Sequence, residues 1–181
     1  MLVKITRGNG TSQSVHARMA DDPFAPVADG ETLPQGAIIV TAKRFLAETD
    51  SLLARGTPLG VRLETGESAQ TLGDHIAKLA VIVLHVPYFR DGRAFSCARL
   101  LRTRLGYTGE IRISGHFLLD QIAFYIRVGA DAFDMAQNIP AAGVEAALHE
   151  ISQVYQTSVD GRATIRQLRA AKPRAATIST P

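Results

Sequence analysis

The sequence predicts a three-layer α/β sandwich with a mainly parallel sheet of about five strands, Rossmann-like or flavodoxin-like, preceded by an N-terminal β-hairpin. Three observations predict it. From Ala37 onward, short apolar runs alternate with amphipathic segments. The run Ala80 to Val86 is almost uninterruptedly apolar, as a strand covered on both faces requires. Strands joined through helices need crossovers, which are nearly always right-handed and make neighbouring strands parallel. A partial (β/α) barrel uses the same local units and is the alternative, although a full barrel has eight and this chain offers about five.

The elements follow in order. Leu2 to Thr6 and Ser14 to Met19 read as extended segments joined through Arg7-Gly8-Asn9-Gly10, where Asn-Gly favours a tight hairpin turn. Residues 20–36, with Pro23, Pro26, Gly30, Pro34 and Gly36, read as a connector. Ala37 to Val40 is a strand, and Ala42 to Arg55 a helix with Phe45, Leu46, Leu52 and Leu53 at compatible spacing before Gly56. Gly60 to Glu64 is the second strand of the series, followed by a helix from Ser68 or Ala69 to Lys78. After the central strand, Gly92 to Leu105 places Ala94, Cys97, Ala98, Leu101 and Leu105 on one stripe, with Asp91 at its start and Gly106 at its stop. Glu110 to Ser114 is a strand, Phe117 to Val128 a helix ended by Gly129, and Asp131 to Asp134 a short strand. Gly143 to Gln156 carries Val144, Ala147, Leu148, Ile151 and Tyr155 at the 3.6-residue period.

The 181 residues fit one domain with a sizeable core. Residues 1–156 form that α/β domain, with 1–19 as hairpin and 20–36 as connector. Residues 157–181 read as a basic, flexible tail. The net charge of +3 and isoelectric point near 9.3 belong to it. Residues 162–181 carry five basic groups and no acid, and the remainder carries 15 basic and 17 acidic groups. The body is therefore not basic overall, and nucleic acid is a poor candidate partner.

A single cysteine, Cys97, excludes an internal disulfide and a multi-cysteine metal cluster within one chain. Its place on an apolar stripe marks it as an inert core thiol. The absence of a long apolar run predicts a cytoplasmic protein with no membrane partner. No GxGxxG, GxxxxGK[ST] or GxSxG pattern is present, so an ordinary nicotinamide enzyme, P-loop enzyme or serine hydrolase finds no support, and the cofactor is left unknown. His16, His75 and His149 are scattered without HExxH spacing, and no metal site is expected. His85 reads as a hydrogen-bonded interior histidine.

In open α/β sheets, ligands bind beyond the carboxyl ends of the strands. The loop Pro87 to Arg93 is the richest, placing Arg90 and Arg93 beside a helix start that favours an anion. The following loop offers His116, then Asp120 and Gln121. Arg90, Asp91, Arg93, Arg112, His116 and Gln121 are the candidate ligand-binding residues, and His116 and Asp120 the candidates for acid–base work. Helix capping and exposed ion pairing account for the same residues without a ligand. Six basic and two acidic residues between Arg90 and Arg112 could also form a docking face for an acidic protein.

The run Tyr88 to Arg102, with its core DGR-x-x-S-x-A-R-L-L-R, resembles a bacterial family of uncharacterised proteins. So do Gly106 to Arg112, Gly115, Asp120-Gln121 and Gly129 to Phe133, and in the leading segment Asp21-Asp22, Ala28 to Glu31, Leu33-Pro34 and Ala37 to Val40. Its members are commonly described as oxidoreductases or accessory proteins of assimilatory sulfite reduction, because their genes often lie beside those for sulfite reductase. The resemblance implies an accessory or binding protein in sulfur assimilation, engaging an oxyanion such as sulfite, or sulfite reductase or another redox protein. A small enzyme acting on an anionic substrate and a homodimer without a small ligand are the alternatives.

Overall fold

The computed structural model describes residues 1–7, 15–135 and 139–171. Its eight strands form one sheet in the order β2-β1-β8-β7-β6-β5-β4-β3. They are β1 (Leu2–Arg7), β2 (Val15–Ala20), β3 (Ala25–Pro26), β4 (Ile38–Thr41), β5 (Leu59–Leu63), β6 (Val81–Val86), β7 (Glu110–Gly115) and β8 (Ala132–Asp134). From β3 to β8 each strand lies parallel to its successor. β1 pairs antiparallel with both β8 and β2. The predicted hairpin is present, while its Gly8-Asn9-Gly10 turn lies outside the described residues.

The strand order corrects the sandwich expectation. A doubly wound sheet reverses direction at a switch point, which sends helices to both faces. Here β3 to β8 never reverse, and right-handed crossovers in one direction put every helix on the same face. The strap between Ala20 and Ala25 shows how strongly the sheet curls. Five residue steps span at most about 18 Å, whereas seven inter-strand spacings in a flat sheet span roughly 33 Å. The sheet edges must approach one another, and the architecture is a mixed α/β half-barrel, which fits the alternative.

Alternation along the strands separates the two faces. Val40, Val61, Ile82 and Ile111 share one register row, and Leu63, Leu84, Ile113 and Phe133 another. All are buried in the main core beneath the helices. The opposite, concave face carries Ile39, Gly60, Val81 and Glu110 in one row and Thr41, Arg62, Val83, Arg112 and Ala132 in the next. Its floor is covered by the strap, where Phe24 packs on Ile39, Val81 and Val83. A Cβ on Gly60 would lie 2.7 Å from Ile39 Cγ1, so only glycine fits beneath that cover. The apolar run of β6 is thus covered on both faces, by helices on one and by Phe24 on the other.

The helices are α1 (Ala42–Ala47), α2 (Thr49–Leu53), α3 (Arg93–Thr103), α4 (Leu119–Arg127), α5 (Ala141–His149) and α6 (Ile165–Ala171). The helix expected over 42–55 is broken at Glu48, whose φ of −123° is not helical. The segment Ala69–Lys78 is a 3-10 helix kinked at Gly73, which adopts φ +55°. α5 stops at His149 although the apolar period continues to Tyr155. Past it, the chain is drawn out to bridge Val154 with Thr164, leaving Tyr155 81% exposed.

Residues 158–165 of the expected tail contact the body. Ser158 Oγ donates to the Arg127 carbonyl at 2.7 Å, and Arg127 Nε pairs with Asp160 at 3.2 Å. Residues 172–181 of that tail lie outside the described residues. Among the described residues no helix is long and apolar enough to cross a membrane.

Two arginines of the basic run are structural. Arg102 donates to the carbonyls of Gly129, Tyr107 and Gly109 at 3.1, 2.6 and 2.9 Å and pairs with Asp131. Asp131 also receives Arg7 Nη1 at 2.6 Å and the Ile111 NH at 3.0 Å. Arg112, 3% exposed, lies on the concave face between Glu110 and Asp22 at 2.8 and 2.7 Å, with Phe24 under its guanidinium.

Candidate functional edge at the carboxyl ends of β5, β6 and β7

Because β6 and β7 are adjacent, the loops that follow them converge. Gln121 ties them together. Its Oε1 accepts from the Leu118 NH at 3.0 Å, and its Nε2 donates to the Phe89 carbonyl at 2.8 Å. The His116 NH donates to the Val86 carbonyl at 2.7 Å. Gly115 closes the turn at φ +97°, where a Cβ would lie 2.9 Å from His85 Cε1; the glycine is required there.

Beneath the loops lies an aromatic base. Phe95 of α3 stacks on Tyr125 of α4 with ring centres 3.8 Å apart, and Phe117 and Phe133 pack edge-on against Tyr125. Tyr125 is fully buried, and burial, then the Asp91 charge, pushes its hydroxyl up to about 12. This base fixes the positions of the loop residues above it.

Asp91 acts as a helix-start ligand. Its carboxylate accepts from the Arg93 NH at 3.1 Å and from Arg93 Nε and Nη2 at 2.9 and 2.7 Å. These contacts, the side-chain bond foremost, hold its pKa below the usual aspartate value. The anion at the start of α3 is therefore the chain's own carboxylate. Arg93 retains only Nη1, which faces Gly66.

A cavity of about 250 Å³ opens there, lined by Leu63, Glu64, Gly66, His85, Arg93 and Cys97 among others. Its charges are mixed, since Glu64 and Glu67 line it with Arg93. His85 Nδ1 and Ser114 Oγ are hydrogen-bonded at 3.3 Å, in keeping with an interior histidine. Burial pushes the half-buried Cys97 thiol up, offset in part by a hydrogen bond with the Ala69 backbone, which makes it a poor nucleophile.

The candidate residues therefore divide. Arg90, Asp91, Arg93, His116 and Gln121 lie on the two joined loops or at the starts of the helices that follow them. Arg112 lies apart from them, its charge already matched. Neither the His116 nor the Asp120 side chain hydrogen-bonds another described residue, and both are exposed. No acid–base pair is formed between them.

The loops also present apolar surface that the charge pattern does not announce. Tyr88 is 72% exposed, Phe89 43% and Leu118 46%. Arg90 lies over the Phe89 ring at 5.3 Å. Among the described residues no carboxylate pairs with Arg90. Bulky residues tethered by backbone hydrogen bonds over a packed base form a preorganised surface.

The family described as "Bacterial protein of unknown function (DUF934)" matches residues 60–166. The chain belongs to this family. No curated protein matches the chain. The DUF934 match begins in β5 and ends in α6, so it contains both loops of the candidate edge, the aromatic base and the Arg102–Asp131 cluster. The N-terminal hairpin, the strap and β4 lie outside it.

A second group of side chains converges on the far edge of the sheet. His16 Nδ1 and His149 Nε2 lie 3.0 and 3.2 Å from the same oxygen, Glu145 Oε1. Glu145 Oε2 accepts from the Ala17 NH at 2.8 Å. That backbone bond is the largest cause holding the Glu145 carboxyl below its ordinary value. The pair Glu145 and His149, four residues apart on a helix, was visible in the sequence. Its convergence with His16, 129 residues away from Glu145, required the fold.

Proposed function

We propose that the protein is an accessory or binding protein of sulfite reduction that docks a redox protein, sulfite reductase foremost, through the joined β6–α3 and β7–α4 loops. The observation that carries the docking is the exposed group Tyr88, Phe89 and Leu118 beside Arg90, which pairs with no carboxylate among the described residues. Aromatic residues and arginine are enriched at interface centres. The sulfur context comes from the resemblance of the Tyr88 to Phe133 block. A small oxyanion is the less favoured ligand, because Asp91 already takes the start of α3 and Glu64 and Glu67 would face it at the neighbouring cavity.

Binding of the purified chain to immobilised sulfite reductase tests the proposal. Tyr88→Ala is expected to weaken binding by about 2 kcal/mol, roughly thirtyfold, with an unchanged melting temperature because the ring is mostly exposed. Arg90→Glu should weaken it further and reduce its salt dependence. Absence of binding, or binding indifferent to both substitutions, would overturn the proposal. Heat evolved with sulfite or sulfate alone, lost in Arg93→Ala, would move the assignment to an oxyanion.

A further inference from the structure

We infer that His16, Glu145 and His149 form a binding site for one divalent transition-metal ion of the zinc class, clamping edge strand β2 to α5. Two imidazoles approach one carboxylate oxygen through different ring nitrogens, Nδ1 of His16 and Nε2 of His149. The three ligand atoms lie within 4.8 Å of one another. Zinc–nitrogen and zinc–oxygen bonds of about 2.0–2.1 Å in tetrahedral geometry separate neighbouring ligand atoms by roughly 3.3 Å. The observed 3.0 and 3.2 Å already approach that edge length. The His16–His149 edge closes by side-chain rotation alone, since both rings are more than half exposed.

The carboxylate is oriented for this role. Ala17 NH occupies Glu145 Oε2 and leaves Oε1 facing the imidazoles, the kind of supporting hydrogen bond that fixes a metal ligand. Glu145 and His149 share a face of α5 by their four-residue spacing. His16 comes from β2, against which α5 packs. Two imidazoles and one carboxylate suit zinc, nickel, cobalt or copper, whereas calcium and magnesium require more oxygen ligands. Water would complete the coordination.

The test uses the full chain without a histidine tag, stripped with chelator and titrated with Zn²⁺ by calorimetry against a competing chelator. One ion per chain is expected. Glu145→Gln and His149→Gln should each weaken it by at least about 100-fold, since loss of a ligand costs no less than the roughly 10–100-fold that loss of an outer-shell partner does. His75→Gln and His116→Gln should leave it unchanged. In the wild-type chain, Zn²⁺ should shift the imidazole proton resonances of two of the five histidines, a result independent of how any variant folds. No saturable binding, or shifts spread over all histidines, would overturn the site and leave the cluster as a carboxylate shared by two histidines.

Discussion

Asp131→Ala is expected to lower the stability of the fold by about 3 kcal/mol, measured by chemical denaturation. Breaking a buried ion pair from one side costs roughly 3–5 kcal/mol, because the remaining charge is left uncompensated. Arg102 is 14% exposed and Asp131 25%, which places the effect at the lower end. The Ile111 NH would also lose its acceptor, and an unsatisfied buried donor costs about 1–3 kcal/mol. Asp131→Asn preserves an oxygen for that NH while removing the charge, so it should cost less than alanine. Equal losses would place the effect in the lost charge alone.

Arg112→Ala is expected to cost a similar amount, about 3 kcal/mol, with a local signature. Arg112 is the buried partner of both Glu110 and Asp22, and Phe24 lies against its guanidinium at 5.7 Å. Its removal strips the strap of its polar anchor. Lys4 still pairs with Glu110 at 2.6 Å, which limits the damage on one side. Protease cleavage between residues 20 and 25 should therefore accelerate more than the loss of global stability accounts for. If cleavage there tracks global unfolding, the strap is not held by Arg112.

Much of this fold was legible because apolar alternation and turn chemistry are local. All five strands of the predicted series are present, the hairpin pairs as expected, and Gly106 and Gly129 follow α3 and α4. Sandwich and half-barrel could not be separated that way, because both are made of the same strand–helix units. What separates them is strand order, together with a strap in which Asp22 and Phe24 reach Arg112, Val81 and Val83. Within the sequence that segment reads only as a proline-rich connector. Likewise, the basic run Arg90 to Arg112 looks like one charged face. Arg102 and Arg112 instead turn inward, Arg102 to the carbonyls of Tyr107, Gly109 and Gly129 and to Asp131, and Arg112 to Glu110 of its own strand and to Asp22, 90 residues away.

The candidate edge was legible as a location and less so as a chemistry. Strand ends in such sheets point to it, and Asp91 beside a helix start is a local signal. That Asp91 would neutralise Arg93, and that the base formed by Phe95, Phe117, Tyr125 and Phe133 would leave Tyr88 and Phe89 outside, depends on packing. Those two aromatics move the reading from a small anion toward a protein surface.

Amide hydrogen exchange on the chain, with and without purified sulfite reductase, tests the central claim most directly. The account predicts slowed exchange in the two joined loops, residues 87–92 and 116–121, with little change along β1 and β2. Protection confined to another face, or no protection at concentrations that saturate binding, would contradict it.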